Sequence, residues 1–373
     1  IRIVTTGLAP LKNRRSLMAK LADKMYLKRL LETPSVTGME TLVASLVRER
    51  LAECADVIET DVMGSVHARL LGNGSAPSVM IAAHMDEVGL MVKSIDSQGF
   101  LRVVPVGGVD AAILPGLRVD VHTSQGVLRG VVGRKAIHLI ESDERTKVTP
   151  ISGLFIDLGL PPRKVREAVR VGDVITYGVG FEKYGKGMAV SRAFDDKAGV
   201  YVITRVMEEL KRADGSLGDY ICASTVQEEI GSRGANTSAF SIKPDVAIAL
   251  DVTHATDYPG IDTDKYGSVS CGKGPVIARG PNINPVVFER LCAAAEAEGI
   301  KVQFEAEPSD SGTDASEMQI QRGGCATGLV SIPLRYMHTP TEVVKLSDIE
   351  DTVTLLKRFI LDLDEDVSFV PGM

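Results

Sequence analysis

The sequence has few histidines, no long apolar run and no long block of basic residues. No apolar run approaches the roughly 18 residues that a membrane-spanning helix needs, which excludes a transmembrane protein. The 42 lysines and arginines are outnumbered by 49 aspartates and glutamates, so the formal net charge is −7. This acidic balance argues against a nucleic-acid partner. With only six histidines, the position of each one is informative.

The five cysteines are an odd number without CxxC spacing. They therefore cannot all pair within the chain, and they do not form a zinc ribbon. Most lie in apolar contexts, such as Ile221-Cys222-Ala223. We therefore expect buried, reduced thiols and a cytoplasmic location.

The overall composition, with 44% apolar and 24% charged residues, is that of an ordinary globular protein and excludes a disordered chain. A length of 373 residues predicts two domains, or one large domain with an insertion. Residues 1–24 lack the apolar core of a secretory signal and carry mostly basic charges. We interpret them as an N-terminal extension, which is either a targeting segment or a translated leader or expression remnant.

Two patterns follow one another along the rest of the chain. Before residue 89 and after residue 178, apolar runs alternate with helical patterns, which predicts an α/β domain with a mixed, mostly parallel sheet flanked by helices. Between them, short β-type runs separated by Gly-Gly, Pro-Gly and Gln-Gly predict a compact β-rich unit. We therefore expect residues 25–88 and 179–373 to form one domain that residues 89–178 interrupt. Thr37 and Glu40 have the spacing of a helix capping box.

His84 and Asp86 follow a buried strand predicted over residues 79–83. In an extended chain their side chains point to the same side. One of them can bind a metal ion while the other orients that ligand or a catalytic water, although a structural histidine is the alternative.

Two acidic pairs occupy similar positions further along the chain. Asp195 and Asp196 begin a predicted helix, where either both cap it and complement its dipole, or Asp195 bridges two metal ions while Asp196 caps it. Glu228 and Glu229 follow a strand predicted over residues 220–226. If both are buried they need nearby cations to stay ionised, and adjacent strand residues face opposite sides. Both conditions are met if one glutamate is a metal ligand and the other is a general base. The alternative is that both lie at a solvated strand end.

Asp251 ends the apolar run over residues 246–250, and His338 follows a strand predicted over residues 326–332. Each alone is compatible with ordinary turn chemistry. Together, the carboxyl ends of four predicted strands deliver ligand-type residues to the edge where an open α/β sheet has its binding crevice. Two imidazoles and three carboxylates suit a pair of zinc-like divalent ions. Such a pair polarises a carbonyl and generates hydroxide from a shared water, while a carboxylate that is not a ligand moves the proton.

Five motifs at these positions resemble those of the tetrahedral aminopeptidases, metallopeptidase family forty-two. They lie, in order, at residues 84–89 (HMDEVG), 194–197 (FDDK), 227–231 (QEEIG), 251–253 (DVT) and 335–340 (RYMHTP). The resemblance extends over residues 26–363. It implies a zinc-peptidase-like catalytic domain, with a barrel-like dimerisation domain inserted into it.

The resemblance also implies a role for each residue. Two metal sites would share one bridging ligand, with His84 and Asp251 at one site, Glu229 and His338 at the other, and Asp195 between them. Glu228 would be the general base that activates a metal-bridged water, and Asp86 would support His84. The two divalent ions per subunit are expected to be zinc, with cobalt or manganese as alternatives. The loop over residues 309–314 would line the substrate pocket.

The implied function is release of the first amino acid from peptides with a free N-terminus, by a homododecamer of tetrahedral shape built from dimers. A related di-metal hydrolase of N-acyl amino acids, or a carboxypeptidase, is the main alternative because the same ligands would serve. A glycosidase is disfavoured, since adjacent glutamates on a strand diverge and the histidines would be unexplained. An inactive scaffold would be expected to have lost the ligands or the base, and this sequence retains them.

Overall fold

The computed structural model describes residues 23–142, 145–213 and 218–372. These residues form an α/β body, built on a large mixed sheet, and a closed β-barrel. The predicted N-terminal extension, residues 1–24, lies outside the described residues except for Asp23 and Lys24, which belong to a helix. No helix within the described ranges has the length and apolar character that crossing a membrane requires.

The described residues contribute eleven strands to the sheet of the α/β body. Nine of them follow one another in space, and two more lie to one side: β1 (Val57–Thr60), β2 (Val66–Leu70), β12 (Tyr220–Thr225), β3 (Val79–His84), β13 (Val246–His254), β16 (Ala326–Arg335), β17 (Glu342–Lys345), β11 (Met188–Ser191) and β10 (Glu182–Tyr184), with β14 (Val276–Arg279) and β15 (Gln303–Ala306) beside β16. The four central strands β12, β3, β13 and β16 run parallel. The outer strands on both sides pair antiparallel.

The burial of these strands follows their sequences. All residues of β3 and β12 are buried, as expected for continuous apolar runs in parallel strands that are covered on both faces. In β2, nearer the edge, Val66, Ala68 and Leu70 are buried and alternate with half-buried residues. The parallel strands therefore form the centre of the core, and their carboxyl ends meet at one edge of the sheet.

Helices cover the sheet and provide most of the remaining core. They are α1 (residues 23–32), α2 (Thr41–Leu51), α4 (Phe194–Arg212), α5 (Arg233–Ile242), α6 (Thr263–Tyr266), α7 (Pro285–Glu298), α8 (Asp314–Gln319) and α9 (Leu346–Leu361). Helix α4 packs against α9, β3 and β13, and most of its residues are buried. A helix that is buried nearly all round lies inside the body rather than on its surface.

The barrel is formed by six described strands that close on themselves. In order around the barrel they are β4 (Gly89–Ile95), β5 (Leu101–Val106), β8 (Phe155–Asp157), β7 (Gly126–Gly133), β6 (Arg118–Thr123) and β9 (Val174–Tyr177), with the short helix α3 (Pro162–Ala168) beside them. Leu101, Val119, Val121 and Ile156 belong to a hydrophobic core of its own. The predicted fold class, a mixed α/β sheet flanked by helices together with a β-rich barrel, is confirmed.

Two local predictions are wrong. The Thr37 hydroxyl donates to Asp86 at 2.9 Å, and Glu40 at the N-cap of α2 makes no side-chain cap, so there is no capping box. The two glutamates are not on a strand, because β12 ends at Thr225 and Glu228–Ile230 form a 3-10 turn. Gln227, with φ of 58°, has the left-handed conformation that ends the extended chain.

Candidate metal centre

The residues predicted at the strand ends come together at the carboxyl edge of the parallel strands. His84 is the last residue of β3, and His338 lies in the loop between β16 and β17. Asp251 lies inside β13 rather than at its end, because β13 and β16 pair as far as His254 and Leu334. Asp195 opens α4, at a point where the backbone is not yet helical.

Three buried side chains form the first cluster. His84 Nε2 lies 3.1 Å from Asp195 Oδ1 and 3.9 Å from Asp251 Oδ1. A ligand atom from each of the three lies within 4.8 Å of those of the other two. This spacing suits a metal ion bound by one imidazole and two carboxylates.

A second cluster shares Asp195 with the first. Its other carboxylate oxygen, Oδ2, lies 3.2 Å from His338 Nε2, which in turn lies 3.4 Å from Glu229 Oε1. The ligand atoms of Asp195, Glu229 and His338 also lie within 4.8 Å of one another. The structure thus gives Asp195 one oxygen for each cluster, which is the geometry of a bridging ligand.

Asp86 holds the turn that presents the two glutamates. Its carboxylate accepts hydrogen bonds from the backbone N–H groups of Glu228 at 3.1 Å and Glu229 at 3.2 Å, as well as from the Thr37 hydroxyl. His84 Nδ1 lies 3.2 Å from the backbone oxygen of Asp86 and 3.5 Å from its Oδ1. Asp86 is fully buried and contacts both the turn and the histidine.

Glu228 stands beside the two clusters without belonging to either of them. One of its carboxylate oxygens accepts a hydrogen bond from Ser232 at 3.2 Å, and its side chain lines the cavity that opens on the clusters. Burial raises the pKa of Glu228 to about 7, although the His84 charge acts in the opposite direction. A carboxylate with a pKa near neutrality can both accept and return a proton.

The clustered acids and imidazoles shift one another's pKa values. Burial and the neighbouring Asp195 raise the pKa of Glu229 to about 8, and the same two causes raise the pKa of Asp251. Burial alone would lower the pKa of His338, but the Asp195 hydrogen bond and the Glu229 charge raise it to about 9. The centre therefore holds an excess of negative charge that cations would neutralise.

The donor set fits divalent metal ions. Three carboxylates and two imidazoles offer oxygen and nitrogen ligands of the kind that zinc prefers. Glu229 Oε1 is buried and has no hydrogen-bond partner, although it lies close to His338. A buried carboxylate oxygen that is unpartnered and aimed into such a cluster fits the role of a metal ligand.

A cavity of about 520 Å³ leads to the centre. Its wall includes residues 310–313, from the loop that was predicted to line the substrate pocket. Besides Glu228, four acids outside the two clusters also line it: Glu305, Glu307, Asp310 and Glu317. None of the described residues that line it is a lysine or an arginine. Burial raises the pKa of Glu305, and burial with the charge of Glu305 raises that of Glu307 to about 7.

Glu342 contacts two presumed ligands and was missed from the sequence. It is almost fully buried, and its two carboxylate oxygens accept the backbone N–H groups of Asp195 at 3.2 Å and His338 at 3.0 Å. It thereby ties the start of α4 to the loop after β16. The only signal in the sequence is an acid four residues after a candidate histidine.

Two of the other histidines make ordinary side-chain contacts. His67 Nε2 lies 2.8 Å from Ser238 Oγ, and His122 Nε2 lies 2.9 Å from Thr176 Oγ1. Both are half-buried and lie outside the two clusters.

Comparison with known families agrees with this geometry. Residues 64–355 match the M42 glutamyl aminopeptidase family. The chain belongs to this family. A lysyl aminopeptidase from Pyrococcus furiosus is 37% identical over 356 residues, which cover 94% of this chain and 100% of that protein.

Solved structures of related peptidases share the fold. A TET aminopeptidase from a marine sediment archaeon of the Thaumarchaeota has a TM-score of 0.88 at 31% identity, covering 93% of this chain and 98% of that chain. The TET1 peptidase of Pyrococcus horikoshii, which can assemble into a tetrahedron or a large octahedral shell, has a TM-score of 0.81 at 30% identity. It covers 91% of this chain and 100% of that chain.

These similarities confirm the predicted family and the predicted class of enzyme. The chain is a metal-dependent aminopeptidase, a hydrolase that acts on peptide bonds. The alternative of an N-acyl amino acid hydrolase or a carboxypeptidase is not favoured. A divalent metal cofactor agrees with the family, and the two clusters around Asp195 are the candidate positions for it.

Proposed function

We propose that this aminopeptidase cleaves the first peptide bond of its substrates at the centre around Asp195, with Glu228 as the general base. The observation that carries the proposal is the division of the Asp195 carboxylate between two ligand clusters, with Glu228 beside both and in neither. A two-metal hydrolase needs a ligand that both metal ions can share and, next to it, a carboxylate that binds neither ion.

Two divalent ions per subunit would be held by these clusters, with His84 and Asp251 at one ion, Glu229 and His338 at the other, and Asp195 at both. Zinc is the expected metal, and cobalt or manganese would suit the same ligands. When bound, such ions polarise the scissile carbonyl and make water acidic enough to be deprotonated near neutral pH.

The protein's own residues supply the proton transfers. Glu228 accepts a proton from the attacking water and returns it to the leaving amine, for which a pKa of about 7 is suited. Asp86 keeps Glu228 in place through the backbone N–H groups of the turn and orients His84. The cavity would take one end of a peptide, and the substrates would be peptides with a free N-terminus, as the aminopeptidase family indicates.

Substitution of Glu228 by glutamine tests the proposal. The variant is expected to fold and to bind metal like the wild type, but to lose at least about 10²-fold in kcat, because glutamine cannot accept the proton. Steady-state kinetics on an aminoacyl chromogenic substrate, with metal content measured on the same sample, give the result. Glu182→Gln, at an exposed position of β10, is the matched control. Near-normal turnover of Glu228→Gln would refute the role of Glu228.

A comparison of free and N-acetylated peptides separates this function from its alternative. An aminopeptidase is expected to process the free peptide far better, whereas a hydrolase of N-acyl amino acids would prefer the acetylated one. A preference for the acetylated peptide would contradict the proposal.

We also propose that the chain assembles into a homododecamer built from dimers. Its location would be the cytoplasm. The assembly is supported by the relative from Pyrococcus horikoshii that can form a tetrahedron. Residues 25–88 and 179–373 would be the catalytic domain, and residues 89–178, which contain the barrel strands, would be the dimerisation domain. Light scattering on the purified protein is expected to give about twelve times the 39.9 kDa of one chain. A monomer would contradict this assembly.

A further inference from the structure

His338 is the less enclosed of the two imidazoles at the metal centre. Its side chain is 29% exposed, whereas that of His84 is 2% exposed. His84 Nδ1 lies 3.2 Å from a backbone oxygen of its own loop, that of Asp86. The Nδ1 of His338 lies 2.9 Å from the backbone oxygen of Gly108, which belongs to the barrel segment between β5 and β6.

The same barrel segment leaves room for two presumed ligands. A Cβ atom on Gly108 would lie 2.9 Å from Nδ1 and 3.2 Å from Cε1 of His338. A Cβ atom on Gly107 would lie 3.2 Å from Oε2 of Glu229 and 2.8 Å from Cγ1 of Val88. Side chains at these two positions would therefore displace the groups that form the second cluster.

We propose that residues 107–108 of the barrel are a positioning element for the metal ion expected between Asp195, Glu229 and His338. The Gly108 oxygen accepts the Nδ1 proton of His338, which leaves Nε2 as the ligand atom and fixes the plane of the ring. Gly108 acts only through His338 and touches neither substrate nor reacting atoms. The barrel thus completes the metal centre, in addition to any role in assembly. This inference rests on the proposed function.

Gly108→Ala is a direct test, because the φ angle of Gly108 is not in the left-handed region and alanine adds no backbone strain there. Metal-free protein is titrated with Co²⁺ and followed by absorbance and calorimetry. The wild type is expected to bind two ions per chain. In the variant, one ion is expected to bind at least about 10-fold more weakly, while the other keeps its affinity.

Gly323→Ala is the matched control, since Gly323 also has an ordinary φ angle and nothing within 4 Å of the added methyl group. Both of its ion affinities are expected to equal those of the wild type. His338→Ala tests whether Gly108 acts through the ring: adding Gly108→Ala to His338→Ala is expected to change ion binding no further. Wild-type affinities in Gly108→Ala, or an equal further loss in the double variant, would overturn the proposal.

A measurement on the wild type does not depend on how well any variant folds. In zinc-loaded protein with ¹⁵N-labelled histidine, the His338 ring is expected to carry its proton on Nδ1 and to bind the metal through Nε2. Coordination through Nδ1 would overturn the inference. The test of the barrel and the test of Glu228 can fail separately. If Glu228→Gln loses turnover but Gly108→Ala binds ions like the wild type, only the proposed role of the barrel is refuted.

Discussion

The carboxylates around the cavity fall into two groups that differ in their partners. Those of Asp195, Asp251 and Glu229 face imidazoles, and metal ions are expected among them. Glu305 is held by the hydroxyls of Thr253 and Ser331, at 2.7 and 3.2 Å, and Glu307 lies beside it. Because the described lining contains no lysine or arginine, this end of the cavity attracts positive charge.

The charge of Glu307 is therefore expected to affect the choice of substrate. Its pKa of about 7 means that about one tenth of it is ionised at pH 6 and about nine tenths at pH 8. A lysine side chain is positively charged throughout this range, whereas a leucine side chain is neutral. The ratio of kcat/KM for a lysyl over a leucyl chromogenic substrate is expected to rise by about 2- to 5-fold between pH 6 and pH 8.

The ratio of two substrates cancels the pH dependence of the chemical step, which both share. In Glu307→Gln the ratio is expected to rise much less with pH, since the group at this end of the cavity that titrates near pH 7 is gone. Because Glu305, Asp310 and Glu317 also line the cavity, this variant is still expected to prefer lysine over leucine. A ratio in the wild type that falls or stays level with rising pH would contradict the prediction.

At the scale of elements, a buried ion-pair network joins the end of β3 to the start of α4. Glu87 accepts hydrogen bonds from Lys197 Nζ at 2.8 Å, from Arg192 and from the backbone N–H of Ser35 at 3.0 Å. Lys197 also donates to the backbone oxygen of Thr33 at 2.7 Å. The network thus fixes the relative positions of the two segments that carry His84 and Asp195 of the first cluster.

Glu87→Gln is expected to lower the free energy of unfolding by about 3–5 kcal/mol, because two buried cations lose their counter-charge. Burial raises the pKa of Glu87, but the Arg192 and Lys197 charges lower it more, to about 2, from an ordinary value of 4.5. Since the folded-state pKa is depressed, this stabilisation is complete above pH 4.5 and is lost as the pH falls towards 2. Urea unfolding of metal-free protein measures it.

An exposed ion pair provides the control for this network. Glu167 contacts Arg163 at 2.8 Å and Lys164 at 3.1 Å on the surface of α3. Glu167→Gln is expected to leave stability unchanged within error, because water replaces the lost contacts. Equal stability of Glu87→Gln and the wild type at pH 7 would show that the buried network does not stabilise the fold.

The sequence predicted the elements that have a regular pattern and missed the contacts that join distant segments. Continuous apolar runs located β3 and β12, and the polar residues after them pointed to the edge where His84 and Glu229 lie. The turn at Glu228 was read as strand because the sequence does not show that Asp86 accepts two of its N–H groups. The roles of these residues in catalysis remain predictions.

Glu342 and Gly108 could not have been found in the same way. Each acts through a contact with a backbone or ring that is set by folding: Glu342 with the N–H of Asp195, and Gly108 with the ring of His338. Neither lies in a motif, and an isolated acid or glycine in the sequence does not show which distant segment it contacts. Such supporting residues depend on tertiary structure, which local patterns do not encode.

At the scale of the whole molecule, the metal centre lies where the two units meet. The α/β body supplies all five presumed ligands, and the barrel supplies the Gly108 oxygen that holds His338. Tyr177, on barrel strand β9, also borders the small cavity between Glu342 and the second cluster. Ions bound at this point would hold segments of both units in one arrangement.

Metal removal is therefore expected to lower the thermal stability of the whole protein. Without ions, the acids Glu229 and Asp251 are buried and repel Asp195, and burial first and this repulsion second raise their pKa values. An ion present at 1,000 times its Kd stabilises the folded state by about 4 kcal/mol, so Tm is expected to fall by several degrees after chelation. Calorimetry before and after chelation, followed by addition of Zn²⁺, measures the change. In His338→Ala the fall in Tm on chelation is expected to be smaller, because only the ion at His84 and Asp251 keeps its ligands. An unchanged Tm after complete chelation of the wild type would mean that the ions contribute nothing to folding.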